Sequence, residues 1–155
     1  MNRLKLTIIF AVLSLTAFSQ IKKIEVAKKE IVGKIAPGGA ITLTMECYRY
    51  EDDTYLFRYL DTKFSKIEVW KDFKIKSTED FNTLYSYLEE GFSKMPEEAM
   101  LLNIGDGYLI LRFSKFLGGK VVKIAHSTSD SETAIVGYTN LYTVKQINKL
   151  FGKTK

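Results

Sequence analysis

Apolar side chains recur at helical spacing in one long stretch of the chain, from Ser77 to Lys94. The spacing i, i+3, i+4, i+7 places them on one face of a helix, and the residues between them are polar. Ser77 can cap the first turn, and Pro96 ends the pattern. The stretch predicts one central helix that packs against a sheet through Phe81, Leu84, Tyr85, Leu88, Phe92 and Met95.

Strand-like alternation of apolar and polar residues fills most of the chain on both sides of this helix. Four such segments precede it, within residues 24–36, 41–50, 54–60 and 67–75, and four follow it between Met100 and Thr139. After them, Thr143 and Gln146 have the spacing of a capping box, and Gly152 suits a helix end. The sequence therefore predicts an α+β fold: an antiparallel β-sheet of about eight strands, mostly hairpin-connected, with one central helix and one C-terminal helix.

The first predicted hairpin turns at Asp52-Asp53, since short carboxylates tolerate turn geometry. This turn places Tyr50 opposite Tyr55 and predicts one aromatic face with Tyr48, Tyr50, Tyr55, Phe57 and Tyr59. The opposite face is also apolar and carries Ile41, Leu43, Met45, Cys47, Leu56 and Leu60. An ordinary antiparallel hairpin has one polar face that is exposed to solvent. Because both faces are apolar here, either two layers cover this hairpin or one of its faces is a binding surface.

Two further turns are predicted at Asp106-Gly107 and Gly118-Gly119. The first pairs Ile104 with Leu109 and the second pairs Phe113 with Ile124, which places the apolar residues of three strands on one face. Gly137 in the last strand indicates a bulge or a close approach of another segment. Each half of the chain contains four strands and then a helix, but no matching residues support a duplication.

The first residues resemble a secretory signal peptide: Arg3 and Lys5 form a basic head before an apolar run over residues 6–18. The pattern predicts a signal peptide over residues 1–19, cleaved between Ser19 and Gln20, and a single α+β domain over residues 20–155. A membrane anchor is the alternative, but the run is shorter than the roughly 20 apolar residues that span a bilayer. We therefore expect a secreted or periplasmic protein without a transmembrane span after cleavage.

The formal net charge of the whole chain is +5 at pH 7, and loss of the basic head would lower it. Lysines concentrate near the predicted new N-terminus, where a basic patch could contact anionic lipid or polysaccharide. A strand edge kept charged against pairing is the alternative. Nucleic acid is not an expected partner, because the charge is small and the aromatic motifs of RNA-binding strands are missing from the sequence.

Few side chains in the sequence suit catalysis. Cys47 is the only cysteine and His126 the only histidine, so we expect no internal disulfide, no metal site and no cofactor. Ser127 or Ser129 could combine with His126 and Asp130 into a Ser-His-Asp triad. These residues are neighbours in the sequence, however, and they lack a nucleophile elbow. Cys47 paired with His126 is the sharper hypothesis. Both lie on apolar strand faces, which predicts a buried and inert thiol and no catalytic residues.

These observations favour a non-catalytic exported module that binds a partner protein, a glycan or an apolar ligand. The predicted binding surface consists of Tyr48, Tyr50, Tyr55, Phe57, Tyr59 and Trp70. Trp70 lies among charged residues, where it is either half-buried at a sheet margin or an anchor for binding. The alternative for the whole face is that it meets a helix or a second sheet. A small exported hydrolase or thiol enzyme that uses Cys47 or surface carboxylates is the second hypothesis, and a subunit of an envelope assembly is the third.

Overall fold

The computed structural model describes residues 27–36, 42–130 and 134–153. The predicted signal peptide and its cleavage site lie outside these residues. The elements are β1 (Lys29–Ile35), β2 (Met45–Tyr50), β3 (Tyr55–Leu60), β4 (Trp70–Ile75), α1 (Thr78–Lys94), β5 (Met100–Asn103), β6 (Tyr108–Phe116), β7 (Gly119–Ser127), β8 (Ile135–Thr143) and α2 (Val144–Leu150).

The strands form two antiparallel sheets of four, in the orders β1-β2-β3-β4 and β5-β6-β7-β8. Each strand pairs with its neighbour in sequence, so the turns between strands determine the topology. A helix follows each sheet, which confirms the predicted α+β fold with its central and C-terminal helices. Neither helix in the described ranges has the length and apolar character needed to cross a membrane.

Helix α1 forms where the apolar stripe predicts it. The Ser77 hydroxyl accepts a hydrogen bond from the Asp80 N–H (3.0 Å), which satisfies a free donor of the first turn. At the other end Met95 adopts a left-handed conformation (φ 49°), and its N–H donates to the Gly91 carbonyl. The inner side of the helix is buried through Phe81, Leu84, Leu88, Gly91 and Phe92.

Helix α2 begins with the predicted capping box, in which the Gln146 N–H donates to the Thr143 hydroxyl and the Thr143 N–H donates to the Gln146 side chain. The helix packs over β1. The contact at Gly33 is so close that a Cβ there would overlap the carbonyl oxygens of Lys149 and Leu150. Glycine therefore permits the last helix to cover the first described strand.

Rings from the first sheet and from both helices meet in the core. Tyr55 stacks on Phe81 of α1 with ring centroids 4.0 Å apart, and Phe57 lies 5.4 Å from Phe151, which follows α2. Phe81 and Phe151 are themselves 4.8 Å apart. The second sheet adds Leu109, Leu111, Val122, Ile124 and Tyr142 to the same cluster. One hydrophobic core thus joins the two sheets.

The hairpins of the second sheet are each shifted by two residues from the predicted register. Leu102 pairs with Leu109, and Phe113 pairs with Val122. The predicted pairs are therefore wrong. Because side chains alternate with a period of two, a shift by an even number leaves each of them on the same face. The predicted apolar face of β5, β6 and β7 is confirmed and packs in or against the core.

Candidate functional site

The hairpin of β2 and β3 is shifted by one residue from the predicted register, so that Cys47 lies opposite Phe57. The turn contains one residue more than predicted, because Asp53 takes a left-handed conformation (φ 61°). An odd shift exchanges the faces of one strand relative to the other. The predicted aromatic face is therefore wrong as a single surface. Three of its members belong to the core and are at most 5% exposed: Tyr55, Phe57 and Tyr59.

The other three predicted surface residues, Tyr48, Tyr50 and Trp70, are half-buried on the outer face of the first sheet. Two cations lie over their rings: Lys29 Nζ is 4.1 Å from the centroid of Tyr48, and the Arg58 guanidinium is 4.7 Å from that of Trp70. Trp70 begins the edge strand β4, so it occupies the sheet margin. Binding of a ligand by this remaining face stays a prediction.

The residues of the thiol hypothesis lie in different sheets. Cys47 is buried in β2, and burial raises the pKa of its thiol to about 12, so it is protonated at neutral pH. His126 lies in β7 with its ring 5.7 Å from Phe73. Burial lowers the pKa of this imidazole, although the charge of Asp72 acts in the opposite direction. Ser127, a candidate nucleophile of the triad, is buried at the end of β7.

Metal binding gains no support from the side chains in the described ranges. Within them, no three His, Cys, Asp or Glu residues form a group that could hold an ion.

A buried ion pair lies against the outer edge of β8. The Asp61 carboxylate has no exposed side-chain surface and lies 2.8 Å from Lys71 Nζ. It also accepts hydrogen bonds from the N–H groups of Lys63 (3.0 Å) and Tyr138 (3.1 Å). Burial opposes ionisation of this carboxyl, but Lys71 and the two N–H groups outweigh burial and hold its pKa below the ordinary value of 3.8. We call Asp61, Thr62, Lys63 and Lys71 the clasp.

The clasp binds main-chain groups on the outer side of the first half of β8. The Thr62 N–H donates to the Tyr138 carbonyl (2.9 Å), and Lys63 Nζ donates to the Ile135 carbonyl (2.9 Å). The Lys71 ammonium donates to the carbonyl of Val136. This edge of the second sheet is therefore tied to the segment that follows β3.

Gly137 lies under the clasp. A Cβ at this position would be 2.8 Å from the Tyr59 hydroxyl and 2.9 Å from the Asp61 carboxylate. The pairing of β7 with β8 is also irregular next to this position, between His126 and Ser127. Both features predicted for Gly137, a bulge and a close approach, are confirmed.

Strand β5 forms the opposite edge of the same sheet. Among the described strands β5 pairs only with β6, and the Ile104 N–H donates towards β6, to the Gly107 carbonyl (2.9 Å). Main-chain groups alternate in direction along an antiparallel strand, so those of Leu101 and Asn103 point away from β6. They face a groove of about 430 Å³ between β5 and α1.

The groove is lined by both apolar and polar residues, and two of them, Lys76 and Asp80, are charged. Tyr87 on α1 is 39% exposed and Leu101 on β5 is 48% exposed, so large apolar side chains meet solvent on both walls. Lys76 at one end lies 3.0 Å from Asp106, which offsets its charge. The full lining consists of Ile75, Lys76, Asp80, Thr83, Leu84, Tyr87, Leu101, Leu102, Asn103, Ile104 and Gly105.

Sequence patterns indicated neither the clasp nor the groove. Asp61 is a single acidic residue in a polar loop, which is ordinarily solvated, and only Gly137 signalled that another segment comes close. The groove exists because α1 lies beside β5, and no local pattern encodes that placement.

Comparison of the chain with known protein families, with curated proteins and with solved structures finds no match.

Proposed function

We propose that this protein is a non-catalytic binding module that takes an extended segment of a partner protein into the groove between β5 and α1. The observation that carries the proposal is the free edge of β5 beside this groove. An extended segment would add a strand to the second sheet and pair with the main-chain groups of Leu101 and Asn103. Alternate side chains of the segment would enter the groove.

The chemistry of the groove favours a polypeptide over a glycan or a small apolar ligand. A strand edge presents N–H and C=O groups at the spacing of another strand, and only a polypeptide backbone matches that spacing along its length. A small apolar ligand would displace water from these groups and leave them unpaired, which costs free energy. An apolar strand edge is also one that proteins ordinarily cover.

The side chains of the groove specify the kind of segment. Tyr87 on α1 and Leu101 on β5 are the large exposed apolar residues of the lining, and both can contact a bound chain. The charge of Lys76 is already offset by Asp106. The expected partner segment is therefore extended, mainly uncharged, and apolar at every second residue.

Export to the periplasm or the cell exterior is part of the proposal and rests on the signal pattern of residues 1–19. The enzymatic alternative depends on Cys47, whose thiol is buried and has a pKa of about 12. Rapid reaction of a thiol reagent with Cys47 in the native protein would favour that alternative. We expect reaction only after denaturation.

Selection from a library of random displayed peptides on the naturally processed protein tests the proposal. We expect enrichment of peptides with apolar residues at alternate positions, and loss of their binding in Leu101→Ser. Leu141→Ser is the matched control, because Leu141 is a comparably exposed leucine (40%) on β8, outside the groove. This control should bind as the wild type does.

Amide hydrogen exchange then locates the bound peptide. Strand addition should protect the N–H groups of Leu101 and Asn103, and Leu101→Pro, which removes one of them, should abolish binding. Failure to enrich any peptide would contradict the proposal. Captured peptides that bind Leu101→Pro normally but are lost in Trp70→Ala would place the site on the outer face of the first sheet instead.

A further inference from the structure

The hairpin of β6 and β7 ends in an apolar tip that contributes no packing to the core. Residues 114–120 are all exposed. At the apex Phe116 is 53% exposed and Leu117 is 92% exposed. Phe116 pairs with Gly119, so the turn itself consists of Leu117 and Gly118, with φ angles of 49° and 80°.

Leucine is unsuited to this turn on structural grounds. A two-residue turn with positive φ at both central positions prefers Asn, Asp or Gly, and a residue with a branched apolar side chain is strained there. The side chain of Leu117 also stays in water. Neither the backbone nor the packing of the fold explains leucine at this position, which directs attention to a contact outside the molecule.

Lysines flank the two apolar residues. Lys115 and Lys120 are directly opposite each other on the two strands, where like charges repel. Lys120 Nζ donates to the Phe92 carbonyl (2.7 Å) near the C-terminal end of α1, which positions the base of the tip. An anionic surface in front of the tip would offset the repulsion between the two lysines.

We propose that this tip docks on an anionic lipid surface, with Phe116 and Leu117 entering the boundary of the acyl chains while Lys115 contacts the head-group phosphates. Apolar side chains beside basic ones are the combination that binds such an interface. The tip is convex and its turn is only two residues long, so it can enter a bilayer surface without a preformed pocket. This contact is separate from the groove at β5.

Sedimentation of the naturally processed protein with lipid vesicles tests the proposal, because all variants then share the same N-terminus. The wild type should bind vesicles of phosphatidylglycerol mixed with phosphatidylcholine, more weakly at high salt and more weakly still with phosphatidylcholine alone. Leu117→Asn should weaken partitioning about tenfold. Because Asn accepts the left-handed conformation, this variant should keep its fold, as circular dichroism checks. Lys115→Glu should weaken binding to the anionic vesicles only.

Ile67→Asn is the matched control, since Ile67 is 63% exposed in the loop between β3 and β4, away from the tip. It should bind as the wild type does. Phe116→Trp adds a reporter whose fluorescence brominated lipids should quench. Failure to bind the anionic vesicles, an equal loss in Ile67→Asn, or fluorescence insensitive to brominated lipids would overturn the proposal. Binding of the tip to a protein but not to vesicles would overturn it as well.

Discussion

The two edge strands of the second sheet, β8 and β5, differ in what their outward main-chain groups contact. On β8, the carbonyls of Ile135 and Val136 and both main-chain groups of Tyr138 are bonded to the clasp. On β5, the outward groups of Leu101 and Asn103 face a groove. Both edges belong to one sheet, so the geometry of the sheet does not force the difference.

The difference shows which edge the fold protects. An open strand edge invites pairing with another chain, and proteins cover such edges with charges, loops or helices. The clasp does so at β8 with a buried ion pair, which is a costly arrangement because both charges lose solvation. The edge at β5 has no such cover from the described residues and lies beside a groove that includes the exposed residues Tyr87 and Leu101.

Asp61→Ala should destabilise the closed edge of β8 the most. The change leaves the Lys71 ammonium without its carboxylate and the Tyr138 N–H without its acceptor, so the free energy of unfolding should fall by about 3–5 kcal/mol. Denaturation in urea measures the loss. Glu90→Ala is the matched control, because its pair with Lys94 (2.7 Å) is exposed to solvent on α1, and we expect little or no change there. Equal losses in the two variants would show that the clasp does not stabilise the fold.

Gly137→Ala should also destabilise this edge, through a change on β8 and not in the clasp. Its Cβ would lie 2.8 Å from the Tyr59 hydroxyl, so the clasp or β8 must move, at a cost of about 1–3 kcal/mol. Thermal unfolding measures the effect. In Gly119→Ala the nearest atom outside the neighbouring residues is the Phe116 carbonyl oxygen at 3.6 Å, and stability should change by less than about 0.5 kcal/mol. A Gly137→Ala variant as stable as the wild type would contradict the close approach.

Acid should weaken the closed edge of β8. The pKa of Asp61 is held below its ordinary value of 3.8, so its contribution to stability is fully present above that value. The contribution is lost as the pH falls from about 4 through the lower pKa of the folded state. Urea unfolding across this range should show a smaller loss for Asp61→Asn than for the wild type. The same pH dependence in both proteins would rule out this assignment.

Leu101→Pro should have the smallest effect on stability, because the N–H that it removes points away from β6. We expect a loss below about 1 kcal/mol, since proline is tolerated on an edge strand when its nitrogen faces outward. Leu102→Pro removes an N–H that faces β6 and should cost clearly more. Chemical denaturation of the two variants sharpens the comparison, and a reversed order would show that β5 directs its free groups differently.

Local sequence signals predicted those parts of the fold that depend on neighbouring residues. The caps at Ser77 and Thr143 use contacts three residues apart, and both are present. Hairpin registers were harder to predict, because the composition of a turn does not determine how many residues it contains. The error mattered only at Asp53, where an odd shift moved Tyr55, Phe57 and Tyr59 from a proposed surface into the core.

The candidate site was not predictable, because it joins distant parts of the chain. Asp61 and Tyr138 meet across 77 positions, and Gly137, next to Tyr138, indicates a close approach but not which segment approaches. The groove likewise depends on ring contacts that place α1, such as Tyr55 with Phe81 and Phe92 with Phe113. Such contacts follow from packing of the whole core and not from the period of any one segment.

The position of α2 over β1 has a consequence for biosynthesis. Among the described elements, β1 is synthesised first and α2, which covers it, is synthesised last. The two meet where Gly33 contacts the carbonyls of Lys149 and Leu150. A nascent polypeptide halted before Thr143 would leave the flank of its first sheet uncovered, so this part of the core can close only after α2 has been synthesised.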